Sequence, residues 1–169
     1  MPFSDPFADD PVNQRGAERA IKSGMTLAGV VKTVSEFRKD DNDTPIVLMG
    51  YLNPVIAMGE TIFCEAAAAA GVDGLLIVDM PPEEEGSLVQ SAKMHGLDLI
   101  YLAAPTTTDE RLQTIGKATS GYLYYVSLKG ITGSSRLDTS EVSQRVAHMR
   151  RHVSVPICVG FGIRTAQDA

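Results

Sequence analysis

The run PIVLMGY at residues 45–51 is short and uninterrupted in its apolar character, and it ends just before the pair Asn53-Pro54. Such runs are typical of parallel strands that are covered on both faces. Comparable runs begin near residues 74, 97, 121 and 155, and each is followed by the start of a helical pattern. Buried strands that alternate with helices predict a parallel sheet built from βα units.

Capping residues and helix breakers define the elements around these strands. Thr26 is a suitable N-cap for a helix over 27–38, Gly71 is expected to end the helix before it, and Asn53-Pro54 is expected to form a turn. The predicted strands are 45–51, 74–78, 97–102, 121–126 and 155–159, and the further helices are 60–70, 83–95, 109–117 and about 139–152.

Two closures of such a sheet compete, an open doubly wound sheet and a TIM (β/α)8 barrel. No G-x-G-x-x-G motif follows the first strand, which weakens the dinucleotide-binding version of the open sheet. Each strand instead ends in its own polar loop, which suits a barrel whose site lies at the carboxyl ends of its strands. Such a barrel typically needs about 250 residues and eight strands. We therefore expect an α/β fold in which residues 1–169 form a single domain, an incomplete barrel segment.

Composition and charge exclude several classes of function. The chain has 169 residues, of which 44% are hydrophobic, and its net charge is −6. Basic residues cluster only at 150–152, which argues against a nucleic acid or an anionic membrane as partner. The sequence has no run of about 18 apolar residues, so no membrane span is expected. Its first residues have no basic segment followed by an apolar run, so no signal peptide is expected. We expect a cytoplasmic protein.

Cysteine and histidine usage points away from metal chemistry. Cys64 and Cys158 lie in apolar stretches and are expected to be buried, reduced thiols. His95, His148 and His152 are expected to be scattered on helix surfaces, so no metal site is predicted.

The opening loop, residues 2–11, has two possible roles. It contains three prolines, two phenylalanines and three aspartates, a mixture that fits neither a plain linker nor a core strand. The loop could be a turn whose aspartates cap the next helix. It could equally pack through its phenylalanines and offer a carboxylate such as Asp9 to a ligand. Asp79 has the same two possibilities, and its place before Met80-Pro81 favours a structural role.

Other candidate residues follow the later strands. Tyr122 and Tyr124 face the same side of one strand, with Tyr124 nearer its end and able to hydrogen-bond a ligand. The glycine-rich loop at 128–136 is either an ordinary loop or a mobile lid with exposed donors. Gly160-Phe161-Gly162 lies between a strand and a helix start, where backbone N–H groups can hold a phosphate, although a tight βα turn explains it as well.

Taken together, six motifs resemble the tryptophan synthase α subunit family. They are PFSDP at 2–6, GYLNP at 50–54, DMP at 79–81, APT at 104–106, GITG at 130–133 and GFGI at 160–163, in the family's order and at similar spacing. The resemblance covers essentially the whole chain. It implies a segment that runs from the loop after barrel strand 2 to the start of the helix after strand 7, and a lyase that cleaves indole-3-glycerol phosphate to indole and glyceraldehyde 3-phosphate.

The resemblance also implies roles for individual residues. Asp9 is the carboxylate near the indole nitrogen, Tyr124 lies close to the reacting glycerol, and Thr132 on the lid closes over Asp9. The remaining assignments are main-chain phosphate binding at Gly133, Phe161 and Gly162, an indole pocket lined by Met49 and Tyr51, and a partner interface at Asp5, Asn53 and Pro81.

The implied partner is the tryptophan synthase β subunit, in an αββα complex. Pyridoxal phosphate is expected only in that partner, and no cofactor is expected in this chain. The family's second catalytic carboxylate, a glutamate, would stand just upstream of Met1. The segment alone is therefore expected to be inactive.

Two other functions stay open at this stage. A trimmed, non-catalytic module that binds the β subunit would need the residues of the partner interface but not Asp9. A sugar-phosphate isomerase built on the same barrel would also use a phosphate loop, although the PFSDP motif argues against it.

Overall fold

A computed structural model describes residues 1–6, 9, 11–84, 86–127 and 139–160. The chain divides into two compact units, Met1–Leu99 and Ile100–Ala169. The single domain expected from the sequence stays a prediction. Within the described ranges, no helix is both long and apolar enough to cross a membrane.

The first unit is a three-stranded parallel sheet with helices between its strands. The strand order is β1-β2-β3, and Val47 to Gly50 lie opposite Gly74 to Ile77 in register. The elements in chain order are α1 (Pro11–Lys22), α2 (Leu27–Phe37), β1 (Val47–Gly50), α3 (Leu52–Met58), α4 (Glu60–Ala70), β2 (Gly74–Ile77), α5 (Ser87–Met94) and β3 (Asp98–Leu99).

Local signals explain where the helices of this unit begin and end. The Thr26 hydroxyl accepts the Gly29 N–H at 3.1 Å, which satisfies one of the free donors at the start of α2. Gly71 ends α4 with φ of 89°, a left-handed conformation that is strained for other residues. Both boundaries confirm the sequence predictions.

The core of the first unit lies between β2 and the helices. All four residues of β2 are buried, and Phe63 and Cys64 of α4 are fully buried beside Leu88 of α5. Burying a leucine or phenylalanine side chain contributes about 1.5–3 kcal/mol. The prediction for Cys64 is confirmed, and burial raises the pKa of its thiol.

A second structural centre lies at the amino ends of β1 and β2, and we call it the Arg38 clamp. Arg38 donates to the Gly71 carbonyl at 2.9 Å, the Thr44 carbonyl at 2.7 Å and the Asp73 carboxylate at 2.8 Å. The same Asp73 oxygen accepts the Ile46 N–H at 2.7 Å. These bonds tie the end of α2 to the segment before β1 and to the turn before β2.

The second unit repeats the βα pattern. Its elements are β4 (Leu102–Ala103), α6 (Asp109–Ala118), β5 (Leu123–Val126), α7 (Thr139–Met149) and β6 (Ile157–Gly160), and the parallel sheet has the order β4-β5-β6. Leu123 and Tyr125 of β5 are buried, as are Leu112 of α6 and Met149 of α7. Tyr122, Tyr124 and Val126 are half-buried instead, which is the alternation expected along a strand.

Two predicted boundaries are wrong near prolines. Asn53-Pro54 is not a turn, because both residues lie in α3. Pro54 is tolerated there since it occupies the first turn, where backbone N–H groups have no partner within the helix. The helix predicted over 83–95 begins only at Ser87, after Gly86 adopts an extended conformation.

Two further predictions fail in strands. The single strand expected over 97–102 is two short ones, since Asp98–Leu99 pairs with β2 and Leu102–Ala103 pairs with β5. Cys158 is exposed rather than buried, whereas the next residues of β6 are partly or fully covered. An apolar run identifies a strand, but it does not tell which of the strand's faces other elements cover.

Candidate active site

The residues predicted to form a site fall into three groups. Six lie in the first unit, namely Asp5, Asp9, Met49, Tyr51, Asn53 and Pro81. Tyr124 lies in the second unit. Thr132, Gly133, Phe161 and Gly162 lie outside the described residues, so their roles stay predictions.

A cavity of about 400 Å³ in the first unit brings three of the predicted residues together. Asp9, Met49 and Tyr51 all line it, at the carboxyl end of β1. The other lining residues come from the first two positions of the chain, from α1, and from the ends of β1 and β2; among them are Pro2, Asn13, Ala17, Ala20 and Val78. The carboxyl ends of parallel strands are where barrel enzymes bind substrates.

Strand geometry explains why Met49 and Tyr51 share this cavity. They are two residues apart, and the backbone of Tyr51 remains extended at φ −112° and ψ 155°, so both side chains point to one side. Leu48, the residue before Met49, points to the other side of the strand and is buried. The Phe3 ring packs on Tyr51 with 5.2 Å between ring centroids, which confirms that the opening loop has an apolar anchor.

Gly50 allows the start of the chain to approach β1. A Cβ atom at Gly50 would lie 2.5 Å from Met1 Cε, so any larger residue would displace Met1. The Met1 amino group donates to the Met49 carbonyl at 2.6 Å. Burial lowers the pKa of this amino group, and the negative charge of Asp9 partly opposes that shift.

The backbone of Asp9 is held from two directions. Its N–H donates to the Pro6 carbonyl at 3.0 Å, and its own carbonyl accepts from the Gln14 side chain at 2.9 Å. Sequence reasoning missed Gln14. Its position in the first turn of the helix after a loop with a candidate catalytic residue is the signal that could have identified it.

Helix α1 contributes a face of small side chains to the cavity. Asn13, Gly16, Ala17 and Ala20 line it, and their spacing of three and four residues places them on one side of the helix. Small residues leave room for a ligand between α1 and β1. With Met49, Tyr51 and Val78 opposite, the cavity has apolar walls and one carboxylate, a combination that suits a flat aromatic ligand with an N–H donor.

Asp79 has a structural contact. Its carboxylate accepts the Leu52 N–H at 2.8 Å, and that N–H is one of the free donors at the start of α3. A negative charge at a helix N-terminus is stabilising. The contact favours the structural role over the catalytic one, because it fixes α3 beside Tyr51 at the end of β1.

The three residues predicted to meet a partner lie after the ends of β1 and β2 or in the opening loop. Asp5 and Asn53 are exposed and Pro81 is half-buried. The Asp5 carboxylate accepts the Ser4 hydroxyl at 2.6 Å, and Asn53 is in the first turn of α3. Their role at an interface stays a prediction.

In the second unit, Tyr124 meets the last residue of β6. A Cβ atom at Gly160 would overlap the Tyr124 hydroxyl, so only glycine permits this approach. Burial raises the pKa of the Tyr124 phenol. Ser127, which follows β5 and was not predicted, donates its hydroxyl to the Gly160 carbonyl at 2.8 Å. Tyr124 therefore reaches the carboxyl end of the strand that leads into the predicted phosphate motif.

The prediction that the histidines are scattered is wrong for two of the three. His148 and His152 both approach Asp109, with nitrogen–oxygen distances of 2.6 and 3.7 Å. Hydrogen bonding from His148 lowers the pKa of Asp109. His95 is separate and lies 2.8 Å from the Ser91 carbonyl. Helix periodicity identified the helices, but it could not show that the start of one meets the end of another.

Sequence comparison identifies related proteins along the whole chain. The sequence model of the family "Tryptophan synthase alpha chain" matches residues 1–169. Tryptophan synthase alpha chains from Cupriavidus pinatubonensis and Laribacter hongkongensis are each 54% identical over all 169 residues. The chain spans about 64% of the length of these curated relatives.

Solved structures agree with the sequence comparison. The tryptophan synthase subunit alpha of Legionella pneumophila is 41% identical, with a TM-score of 0.86 over 98% of this chain and 60% of that one. A chain in the tryptophan synthase α2β2 complex of Pyrococcus furiosus is 39% identical, with a TM-score of 0.87 over 98% of this chain and 66% of that one. These similarities confirm the predicted fold class, a segment of a TIM (β/α)8 barrel.

Proposed function

Because the chain belongs to the tryptophan synthase alpha chain family, we propose that it carries part of the active site of a lyase. The reaction is the retro-aldol cleavage of indole-3-glycerol phosphate to indole and glyceraldehyde 3-phosphate, in tryptophan biosynthesis. The observation that supports this most is the cavity that brings Asp9 together with Met49 and Tyr51.

The cavity suits the indole end of this substrate. Met49, Tyr51 and Val78 offer apolar and aromatic surface to a flat bicyclic ring, and the small residues of α1 leave room beside it. Indole has one polar hydrogen, on its ring nitrogen. A carboxylate accepts such a hydrogen well when water is excluded, and Asp9 is the residue proposed for that role.

The chemistry requires a negative charge near that nitrogen. Protonation of the ring carbon that bears the side chain places a positive charge on the indole nitrogen. Deprotonation of the glycerol hydroxyl then forms an aldehyde, breaks the carbon–carbon bond and returns the electron pair to the ring. Asp9 would stabilise the charge on the nitrogen as it develops, which lowers the barrier of the first step. Tyr124 is proposed to lie close to the reacting glycerol.

The phosphate end is assigned to the second unit. Main-chain N–H groups of Gly133, Phe161 and Gly162 are proposed to bind the phosphate, and Thr132 to close over Asp9 when substrate is bound. Support comes from Gly160, the first residue of the Gly-Phe-Gly motif, which the Tyr124 hydroxyl approaches closely. Glycines at such a turn allow N–H groups to approach an anion closely.

The proposed partner is the β subunit of tryptophan synthase. Asp5, Asn53 and Pro81 would contribute to the interface. Asn53 and Pro81 follow the carboxyl ends of β1 and β2, and Asp5 lies in the opening loop. Indole would pass to the partner, which would hold the pyridoxal phosphate, in a cytoplasmic αββα complex. The similar chain from Pyrococcus furiosus belongs to a tryptophan synthase α2β2 complex, which supports this assembly.

A chimaeric protein tests the proposed reaction. Residues 1–169 would replace the matching segment of the Cupriavidus pinatubonensis alpha chain, to which they are 54% identical. We expect the chimaera to release indole from indole-3-glycerol phosphate, and this release is measured directly. A chimaera that folds, as judged by circular dichroism, but releases no indole above a buffer control would contradict the proposal.

A further inference from the structure

Three side chains of types that bind metals meet in the second unit, and none of them is among the residues proposed for catalysis. Asp109 Oδ1 lies 2.6 Å from His148 Nε2, and Asp109 Oδ2 lies 3.7 Å from His152 Nε2. One donor atom from each residue can be chosen so that all three lie within 4.8 Å of one another. The side chains of the two histidines are 27% and 19% exposed, so they are partly shielded from water.

Packing fixes the positions of both histidines. His148 is in the last turn of α7, and the chain continues in turns through His152, whose N–H donates to the Met149 carbonyl at 2.9 Å. Met149 and Val153 are buried and anchor this segment. Histidines four residues apart recur as transition-metal ligands on helices. Here the turn that follows α7 keeps the His148 and His152 rings close, with 5.2 Å between their centroids.

The third ligand comes from a different, equally fixed element. Asp109 is the first residue of α6, whose start is held by the Thr108 hydroxyl as N-cap. Further along α6, a Cβ atom at Gly116 would lie 2.9 Å from the His152 carbonyl oxygen. The close approach that this glycine permits brings the end of the α7 segment down onto α6.

We propose that Asp109, His148 and His152 form a binding site for a divalent transition metal, with Zn²⁺ as the ion that fits best. Two imidazole nitrogens and one carboxylate oxygen are a common zinc ligand set, and they leave one position for water. Tetrahedral zinc with bonds of about 2.1 Å separates its ligand atoms by about 3.4 Å. Separations of 2.6 and 3.7 Å lie on either side of that value, so small side-chain rotations are sufficient.

One neighbouring contact, between Arg151 and His148, opposes metal binding, and its removal tests the proposed site. Arg151 Nη2 lies 2.6 Å from His148 Nδ1, and because a guanidinium can only donate, Nδ1 accepts and Nε2 carries the proton that faces Asp109. When Zn²⁺ takes Nε2, the proton must move to Nδ1, which then needs an acceptor. Arg151 is exposed and must turn away. Its charge and that of Arg145, which also acts on Asp109, limit the affinity.

Zinc titration of the full chain by calorimetry tests the site, with Co²⁺ absorption as a spectroscopic check on tetrahedral coordination. We expect one ion per chain and a melting temperature that rises with zinc concentration. His152→Gln and Asp109→Asn should each weaken binding at least about tenfold, whereas His95→Gln, in the other unit, should not change it. Circular dichroism confirms that each variant folds.

Arg151→Gln distinguishes a metal site from a merely structural histidine–aspartate contact. Glutamine can accept the Nδ1 proton and removes a positive charge, so zinc should bind more tightly than in the unaltered chain. Three results would overturn the proposal. They are the absence of zinc binding to the unaltered chain, binding that persists in both His152→Gln and Asp109→Asn, and binding that is lost in Cys158→Ser instead.

Discussion

The two ends of β1 and β2 in the first unit differ in how their polar groups are used. At the amino ends, Arg38 gives hydrogen bonds to Thr44, Gly71 and Asp73, and its side chain is only 13% exposed. At the carboxyl ends, Asp9 stands beside a cavity of about 400 Å³ with Tyr51 in its wall. The same strands therefore have one end filled with internal bonds and one end open to a ligand.

This difference separates stability from function within one small sheet. A closed network of hydrogen bonds contributes to the free energy of unfolding but offers no group to a ligand. A carboxylate beside an empty cavity offers such a group, and its loss should cost little stability. In barrel enzymes the amino ends of strands serve stability and the carboxyl ends carry catalysis. Changes at the carboxyl ends should therefore affect cleavage, and changes at the amino ends should affect stability.

The largest expected effect is that of Asp9→Asn on cleavage. In the chimaeric protein the substitution keeps the shape of the side chain and removes its charge, so kcat should fall by about 10²–10⁴ with little change in KM. Steady-state kinetics of indole release measure both constants. The midpoint of urea unfolding should not move. Turnover that survives within a factor of about three would contradict the assigned role.

The second largest expected effect is a loss of stability when the Arg38 clamp, at the amino ends of β1 and β2, is removed. Arg38→Ala removes the donor to the Gly71 and Thr44 carbonyls and to the Asp73 carboxylate, which then keeps only its bond from the Ile46 N–H. Because the Asp73 side chain is 54% exposed, the free energy of unfolding should fall by about 1–3 kcal/mol. Urea denaturation of the full chain measures this change. Lys39→Ala is the matched control, because the Lys39–Glu36 pair is mostly exposed and should contribute less than about 1 kcal/mol. Equal losses of unfolding free energy in the two variants would contradict a stabilising role for the Arg38 clamp.

A smaller effect is expected at Gly71. Its φ of 89° costs alanine about 1–2 kcal/mol, and a Cβ atom there would also lie 2.8 Å from Arg38 Nε. Gly96 has a φ of 71° with nothing within 4 Å, so Gly96→Ala should show the backbone cost alone. Thermal unfolding should therefore rank Gly71→Ala as the less stable variant. When Gly71→Ala and Gly96→Ala are each combined with Arg38→Ala, the difference between their melting temperatures should vanish, because the clash with the Arg38 side chain is gone.

The smallest effect is a pH dependence near the clamp. Hydrogen bonds from the Thr44 hydroxyl, the Thr44 N–H and the Asp43 N–H lower the pKa of Asp41 below 3.8. A lowered pKa in the folded state means that the ionised carboxylate stabilises the fold above about pH 4 and that this contribution is lost as the pH falls through the folded value. Asp41→Asn should thus be slightly less stable at pH 7. The difference in stability between the two proteins should shrink as the pH falls below about 4.

Sequence patterns predicted the parts of the fold that depend on local chemistry. Apolar runs gave the positions of the strands, and the Thr26 cap and the Gly71 stop gave the ends of two helices. The cavity residues Asp9, Met49 and Tyr51 came from a resemblance of motifs rather than from spacing. Strand alternation explains only why Met49 and Tyr51 share a side.

The features that the sequence did not predict depend on contacts between distant residues. Arg38 reaches Asp73 across 35 positions, and Asp109 meets His148 across 39. Nothing local to either residue indicates such a partner. Cys158 shows the same limit in a strand, because its exposure depends on what covers β6 and not on its neighbours in sequence.

The most direct test is a ¹H–¹⁵N spectrum of the full chain titrated with indole. Binding at the carboxyl ends predicts concentration-dependent shifts at the amides of Asp9, Met49 and Tyr51, with those of Arg38 and Gly71 unmoved. Indole should leave the spectrum of a Met49→Lys variant unchanged, since the added charge blocks the cavity. Shifts confined to the clamp, or none at the cavity under saturating indole, would contradict the separation of a stabilising end from a binding end.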